Sequence, residues 1–501
     1  MRPSYQILIL SILVTSIFVL VIVPLSFVLQ MVFTAIYTIF ILFVSFYIIL
    51  ERRSSTNTML WVFFIWFIPV FGYLFYIYSG QLTRKGILFK EKKEKATKVF
   101  EEEEPIDYAS EDLPLLHQQR KIYNLIQSYA DTPLRMNNEV SVLTNGHEAF
   151  PRIKEELKEA KNFIHMEYYL FNSDQTGESI MDILVAKAQE GVTVRLLYDS
   201  AGSLKLKNKD IKRMKQAGVE VHAFLPIWSG FFTQTFNFRN HRKIIVIDNR
   251  IAFVGGMNVG DEYRGISNEF PNWRDTHTII KGKAIKELHL IFLVDWWYIT
   301  NRYLIDEYSS AEMAIPDGWN TQLQVVPSGP HNERQIMRDV YTMLIHTAEE
   351  SVQIATPYFV PSSEIHAALR IAAQRGVKVS IMVPKRSDSW LTYYASHSYF
   401  PELLQDGINI YLYEPGFMHH KIVLIDQHTA SVGTANMDLR SFYLNFEVNT
   451  ILYEGEPVEK LVANYEEDLQ FSMKVQLESF ERRSNYKKVK ESFARLFSPL
   501  L

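Results

Sequence analysis

Cysteine is absent from this 501-residue chain, which excludes disulfides, iron–sulfur ligation and a thiol nucleophile. Also missing are the zinc-helix pattern HExxH and the phosphate loop GxxxxGK[ST], so the obvious metallohydrolase and NTPase chemistries fall away. Neither charge dominates: 52 basic residues face 56 acidic ones, a net charge of -4. Without a basic surplus to neutralise a phosphate backbone, no nucleic-acid partner is expected. The length exceeds what one hydrophobic core supports, so two or more domains are expected.

Charge is missing altogether from residues 6–50. As one helix this run would be about 68 Å long, against a hydrocarbon core of about 30 Å. It therefore reads as two spans, near 6–27 and 31–50, with Pro24 loosening the end of the first. After the polar break at Glu51, a third apolar stretch over 59–78 is interrupted by Pro69 and Gly72 and reads as re-entrant or interfacial. No small-residue cleavage site follows the apolar start, which favours a membrane region over 1–80 rather than a signal peptide. Arg52, Arg53 and the cluster Arg84, Lys85, Lys90, Lys92 and Lys93 belong on the cytoplasmic side. A re-entrant third segment satisfies both clusters. The expected location is thus the cell membrane, multi-pass, with the body of the chain facing the cytoplasm. Residues 81–134, with the acidic run 101–104 followed by Pro105, read as a charged linker with one helix, the run being a solvated face.

Beyond the linker the chain repeats itself. AKNFIHMEYYLF from Ala160, AKAQEG ending at Gly191 and VTVRLLYD from Val192 have counterparts in AEESVQIATPYFV from Ala348, RIAAQRG ending at Gly376 and VKVSIMV from Val377. Two halves follow, 135–310 and 311–501. Each alternates strand, helix and strand, with Gly191 and Gly376 where a helix C-cap wants a left-handed residue. The expected fold is α/β: two pseudo-twofold-related repeats with helices packed on a largely parallel sheet, equivalent residues meeting at a central seam.

Each half culminates in one pattern, NHRKIIVIDNRIAFVGGMN from Asn240 and HHKIVLIDQHTASVGTAN from His419, within motif regions 236–263 and 414–441. The pairs His241/His419, Lys243/Lys421, Asp248/Asp426, Gly255/Gly433 and Asn258/Asn436 recur at identical spacing. Residues i and i+2 of a strand share a face, so each histidine projects with its lysine. Asp248 and Asp426 open turn-like tripeptides and are candidates both for the catalytic set and for the turns. Gly255 and Gly433 would let the backbone approach a ligand, with Asn258 and Asn436 reaching the same pocket. Thr434 offers a hydroxyl where Gly256 has none. Two histidines, two lysines and two asparagines suit a phosphodiester. Lysine and asparagine would hold the non-bridging oxygens, while one histidine attacks phosphorus and the other protonates the leaving oxygen. This chemistry calls for no metal and no cofactor. His420 points to the opposite strand face and reads as packing or support.

Two aromatic stretches, 228–238 and 390–400, suit an acyl-chain entrance or a membrane interface as well as ordinary packing. The C-terminal stripe Val489, Phe493, Leu496, Phe497 and Leu500, with Lys487, Lys488, Lys490 and Arg495 around it, reads as docking on the protein ahead of lying on a membrane.

The doubled HxKxxxxD, each followed by a G-x-x-N turn, resembles the phospholipase D superfamily. VGGMNVGDEYRG, FMHHKIVLID, GTANMDLRSFYLNFEVN, TPYFVP and the N-terminal FGYLFYIYSGQ are similar to its bacterial cardiolipin synthase branch, over nearly all of 31–501. The resemblance implies a phospholipid substrate, phosphatidylglycerol, and transfer of its phosphatidyl group to a second phosphatidylglycerol, giving cardiolipin and glycerol through a phosphohistidine. It implies His241 as nucleophile and His419 as general acid, the two roles being exchangeable, with Asp275 and Glu447 orienting the imidazoles. The motifs alone leave open a membrane-tethered phospholipase D or other phosphodiesterase that uses water instead.

Overall fold

The computed structural model describes residues 3–51, 55–76, 88–101, 115–227, 235–267, 271–308, 318–498 and 501. Arg52, Arg53, Arg84, Lys85, the acidic run beyond Glu101, residues 228–234, the boundary near 310 and Leu500 lie outside them. The chain divides into two compact units, Met1–Lys90 with Ile227–Asn237, and Glu91–Pro226 with Phe238–Leu501.

The first unit contains helices Pro3–Ile22, Phe27–Leu50, Ser55–Phe67 and Pro69–Phe75. Pro24 separates the first two, since a residue before proline disfavours the helical region. Pro69 sits at a helix start, where its missing N–H costs nothing. Among the described residues, Phe27–Leu50 alone is long and apolar enough to cross a membrane; Leu8–Leu20 and Thr58–Phe67 are shorter apolar helices. Ile41, Val44 and Ile48 recur at helical spacing and pack with Leu13, Ile65 and Tyr73. Phe27, Val28, Met31, Ile39 and Phe46 are exposed, an apolar face that fits lipid better than water.

The second unit is built on a 16-stranded sheet. The first half supplies β1 (Arg135–Thr144), β2 (Phe163–Tyr168), β3 (Thr193–Asp199), β4 (Glu220–Phe224), β5 (Lys243–Ile247), β6 (Ile251–Gly255) and β7 (Thr276–Gly282). The second half supplies β8 (Thr321–Ser328), β9 (Ser351–Ala355), β10 (Lys378–Pro384), β11 (Asn409–Tyr413), β12 (Ile422–Ile425), β13 (Thr429–Gly433) and β14 (Asn445–Tyr453). Short strands Arg239–Asn240 and Ser472–Lys474 complete the sheet. The order β11-β10-β9-β12-β13-β14-β8-β1-β7-β6-β5-β2-β3-β4 reads as one series mirrored about the antiparallel β1–β8 pair.

The sheet is not largely parallel. Only β2-β3-β4 and β9-β10-β11, joined through helices, run parallel; every other neighbour in this order is antiparallel. The cause is local. Asp248 and Asn249, like Asp426 and Gln427, have positive φ, the geometry of a tight hairpin, and a tight hairpin permits only antiparallel return. Gly191 and Gly376 do take the left-handed conformation, at φ 94 and 95.

Period two sorts the cores. Ile244 and Val246, with Ile422 and Leu424, face a core shared by both halves, covered by helices Ile285–Thr300 and Glu456–Gln470. Ile245 and Ile247 face a core of the first half, and Val423 and Ile425 one of the second. Among its described residues, the stretch read as a linker with one helix holds two, Lys90–Glu101 and His117–Ala130. Val99 is buried with Trp296, and Ile122 and Ile126 join the second-half core. Alternating apolar residues among many charges had hidden these two amphipathic faces.

Candidate active site

Both histidines sit where a short strand of one half crosses to the other. Arg239–Asn240 pairs in parallel with Asn445 and Phe446, and His241 N donates to Phe446 O at 2.9 Å. Phe417–Met418 pairs in parallel with Trp273 and Arg274, and His419 N donates to Arg274 O at 2.7 Å. The next residue of each crossed segment is a carboxylate. Glu447 therefore receives His241 Nδ1 at 2.9 Å, and Asp275 receives His419 Nδ1 at 2.7 Å. Each half thus orients the imidazole of the other. With Nδ1–H committed to a carboxylate, Nε2 of each ring keeps its lone pair.

The lysines complete the pair. Lys243 Nζ donates to His241 O and Lys421 Nζ to His419 O, both at 2.7 Å, because i and i+2 share a strand face. Burial pulls Lys243 well below the usual lysine range and Lys421 down to about 8, opposed in both by Glu447 and Asp275. Burial pulls His241 down to about 4, against the pull of Glu447, and His419 down to about 3, helped by Lys421 and opposed by Asp275. Burial alone would raise Asp275; interaction with His419 and Lys421 holds it at about 2. At neutral pH the site holds ionised carboxylates and neutral imidazoles beside two buried amines. A bound phosphodiester anion would draw the amines and one imidazole toward their protonated forms.

Aromatic rings wall the site. Tyr169 meets His241 edge-on, centroids 4.9 Å apart, and lies 5.4 Å from Lys243 Nζ. Trp273, Tyr263 and Phe417 surround His419 at 5.1, 5.8 and 5.9 Å.

The other candidates are distributed differently. Asp248 accepts from the backbone N–H of Lys161, Asn162 and Phe163, and Asp426 from those of Glu349, Glu350 and Ser351. Each lies at the far end of its strand, about 16 Å along from the lysine, and clamps the hairpin to the start of β2 or β9. Of the two roles the sequence left open for them, these contacts are those of the hairpin turn. Gly255 and Gly433 lie tight against the neighbouring strand: an added Cβ would meet His277 Cα or Val448 O. Asn258 donates to Tyr263 Oη at 2.7 Å and accepts from Leu170 N at 3.2 Å. Asn436 is buried, and its side-chain oxygen has no hydrogen-bond partner. Thr434 Oγ1 donates to Glu447 Oε2 at 2.5 Å; at the matching position, a Cβ on Gly256 would meet Asp275 Oδ1 at 2.2 Å. His420 bonds Thr276 Oγ1 at 2.6 Å and Asp468 at 3.3 Å, outside the pair.

Sequence reasoning passed over Arg242. It faces away from the histidines, donating to Asp295 at 2.5 Å, to Glu447 O at 3.1 Å and to Ser328 O at 3.2 Å. Asp295 also pairs with the buried Lys92. Only the alternation of the strand, which sends Arg242 to the opposite side from His241, hinted at a supporting role.

Comparison with known proteins agrees with this architecture. The family described as "Cardiolipin synthase, PLD-like domain" matches residues 153–290 and 341–469, and "Phospholipase_D-nuclease N-terminal" matches 35–81. A probable cardiolipin synthase of Bacillus subtilis (strain 168), YwiE, is 46% identical over 471 residues, 93% of either chain. A cardiolipin synthase of Geobacillus sp. (strain WCH70) is 44% identical over 92% of either chain. The solved phosphatidylserine synthase of Haemophilus influenzae shares the fold, with a TM-score of 0.57 and 16% identity over 76% of this chain and 97% of that one. With two crossed histidine–carboxylate pairs, a repeated domain matched in both halves and relatives spanning nearly the full length, the chain belongs to the cardiolipin synthase family of the phospholipase D superfamily.

Proposed function

We propose that the chain moves a phosphatidyl group between two phosphatidylglycerol molecules, with His241 as nucleophile and His419 as acid and base. His241 Nε2 attacks phosphorus and the bond to the glycerol oxygen breaks. His419, protonated once the lipid phosphate is bound, hands its proton to that oxygen, and free glycerol leaves. The neutral His419 then takes the proton from a glycerol hydroxyl of the second lipid. That oxygen attacks the phosphohistidine, releasing cardiolipin and restoring His241. Lys243 and Lys421, with Asn258 and Asn436, meet the charge that grows on the non-bridging oxygens. The observation that carries this reading is the exchanged orientation, His241 by Glu447 and His419 by Asp275, which ties both imidazoles to one seam.

The membrane assignment rests on Phe27–Leu50 and its exposed apolar face. A multi-pass region with the catalytic body toward the cytoplasm is the arrangement that the basic residues favour. The break before Pro69 supports a third segment that re-enters rather than crosses. A topology reporter at Gln81 found outside the cell would overturn it.

The reaction is tested by incubating reconstituted protein with labelled phosphatidylglycerol and separating the lipids. Cardiolipin with glycerol is expected; phosphatidic acid as the sole product would replace the transferase by a hydrolase.

A further inference from the structure

Of the C-terminal apolar stripe expected to dock on the protein, Val489, Phe493 and Leu496 face outward and Phe497 is half-buried, while Leu500 lies outside the described residues. In helix Asn485–Arg495 the inward residues are Glu491 and Ala494, followed by Ser498. Tyr486, Val489, Phe493 and Leu496 are 69, 66, 52 and 60% exposed. At 100° per residue the two sets lie about 150° apart on the helix. Glu491 is consumed by Arg483, which it binds through both oxygens, so the inward face is satisfied without the stripe.

The stripe continues onto a neighbouring element. The helix packs on Trp390–His397, whose Trp390 is 59% exposed. Trp390 and Tyr394 have centroids 6.5 Å apart, and Lys490 Nζ lies 5.2 Å from the Tyr394 ring and 4.4 Å from that of Tyr486. Two residues before Trp390, Asp388 accepts from Tyr358 Oη, and its charge reaches Lys421 of the active site.

We propose that this helix, with Trp390, is a surface that docks the catalytic body onto anionic phospholipid. Lys490 flanks the stripe about 40° round the helix from Tyr486, and the exposed Lys487 and Lys488 lie farther round, about 100° from Tyr486 and about 80° from Leu496. An apolar face with tryptophan and tyrosine, flanked by lysine, has the composition of a helix lying in a lipid interface. The charge selects the occupant. A second copy of the chain would bring two lysine-flanked stripes together, whereas a bilayer carrying negative headgroups complements them. Docking there brings the Asp388 side of the site toward the headgroups. This surface adds to the transfer reading and uses none of its reacting groups.

The chain's lack of cysteine makes the test direct. Full-length Val489→Cys, labelled with an environment-sensitive fluorophore, is reconstituted in vesicles of phosphatidylcholine with or without phosphatidylglycerol, each doped with a chain-borne quencher. Blue-shifted, quenchable emission is expected with phosphatidylglycerol and not without it. Adding Lys487→Gln, Lys488→Gln and Lys490→Gln should return the label to water, since each lysine contributes roughly fivefold to partitioning on an anionic surface. Water-like emission in the anionic vesicles, or a shift that resists lipid quenching and grows with protein density, would overturn the proposal, the latter in favour of self-association. The triple lysine variant should also lose turnover on vesicles while keeping it on a short-chain substrate in micelles; equal vesicle turnover by variant and parent would count against docking. If the parent fails on the micellar substrate as well, the transfer reading falls and the probe result stands unaffected.

Discussion

Thr434 and Glu447 form a bond that has no counterpart in the other half. The threonine hydroxyl holds one carboxylate oxygen, Asn445 donates to the other at 3.2 Å, and His241 shares both. At the equivalent place Gly256 leaves Asp275 without such a donor, and its other oxygen takes the N–H of Thr276. The two imidazoles are therefore oriented by unequally anchored carboxylates. Glu447→Gln and Asp275→Asn should each lower kcat by roughly 10³-fold or more, because an amide stabilises neither the tautomer nor the imidazolium that the reaction needs. Initial rates on labelled phosphatidylglycerol measure this; a loss below tenfold in either variant would separate the carboxylates from catalysis.

Gly256→Ala tests the same relationship from the side of packing. The new Cβ would fall on Asp275 Oδ1, so the carboxylate must turn and take His419 with it. Turnover should drop while the melting temperature barely moves, since only a side chain is displaced. Unchanged turnover would show that Asp275 has room to adjust.

Much of this was legible in the sequence, and the gaps have physical causes. Identical spacing placed His241 with Lys243 and His419 with Lys421, because strand alternation is a local rule. The exchange of carboxylates was not readable: His241 and Glu447 are 206 residues apart, and the strand that joins them, Arg239–Asn240, is only two residues long. The parallel sheet was over-read because buried strands look alike whichever way they run. Periodicity showed that the C-terminal helix has an apolar face, but it carries no information on what covers that face.

Asp248→Asn and Asp426→Asn should separate stability from chemistry. Each carboxylate accepts three backbone N–H groups, so each replacement should cost about 1–3 kcal/mol of stability. The folded fraction should keep its kcat. A large fall in kcat at unchanged melting temperature would return these residues to the catalytic set.

Acid should destabilise the fold before carboxylates titrate. Burial pulls His277 and His397 down to about 4 and His289 to about 3. Between about pH 6.5 and those values the unfolded chain binds protons that the folded chain refuses. Stability therefore rises with pH in this window and is lost as pH falls below about 6.5, by up to roughly 1.4 kcal/mol per pH unit for each histidine. Melting curves in detergent from pH 7.5 to 5.5 should show the decline; a flat profile would mean that these imidazoles are protonated in the fold.

The ion cluster behind the catalytic strand offers a cycle of variants. Asp295 answers both Arg242 and Lys92, and Arg242 in turn fixes the carbonyl of Glu447. Asp295→Asn leaves two buried cations facing a neutral amide and should cost about 3–5 kcal/mol, as removal of one buried partner does. Lys92→Met should cost less, because Asp295 keeps Arg242. Combining the two removes one of the stranded cations, so the double variant should be more stable than the sum of the single losses predicts. Melting temperatures of the four proteins give the coupling directly. Additive losses would mean that Lys92 and Asp295 do not sense each other. A fall in kcat for Asp295→Asn, with Lys92→Met unaffected, would trace the effect through Arg242, which is next to His241 in the chain and holds the carbonyl of Glu447.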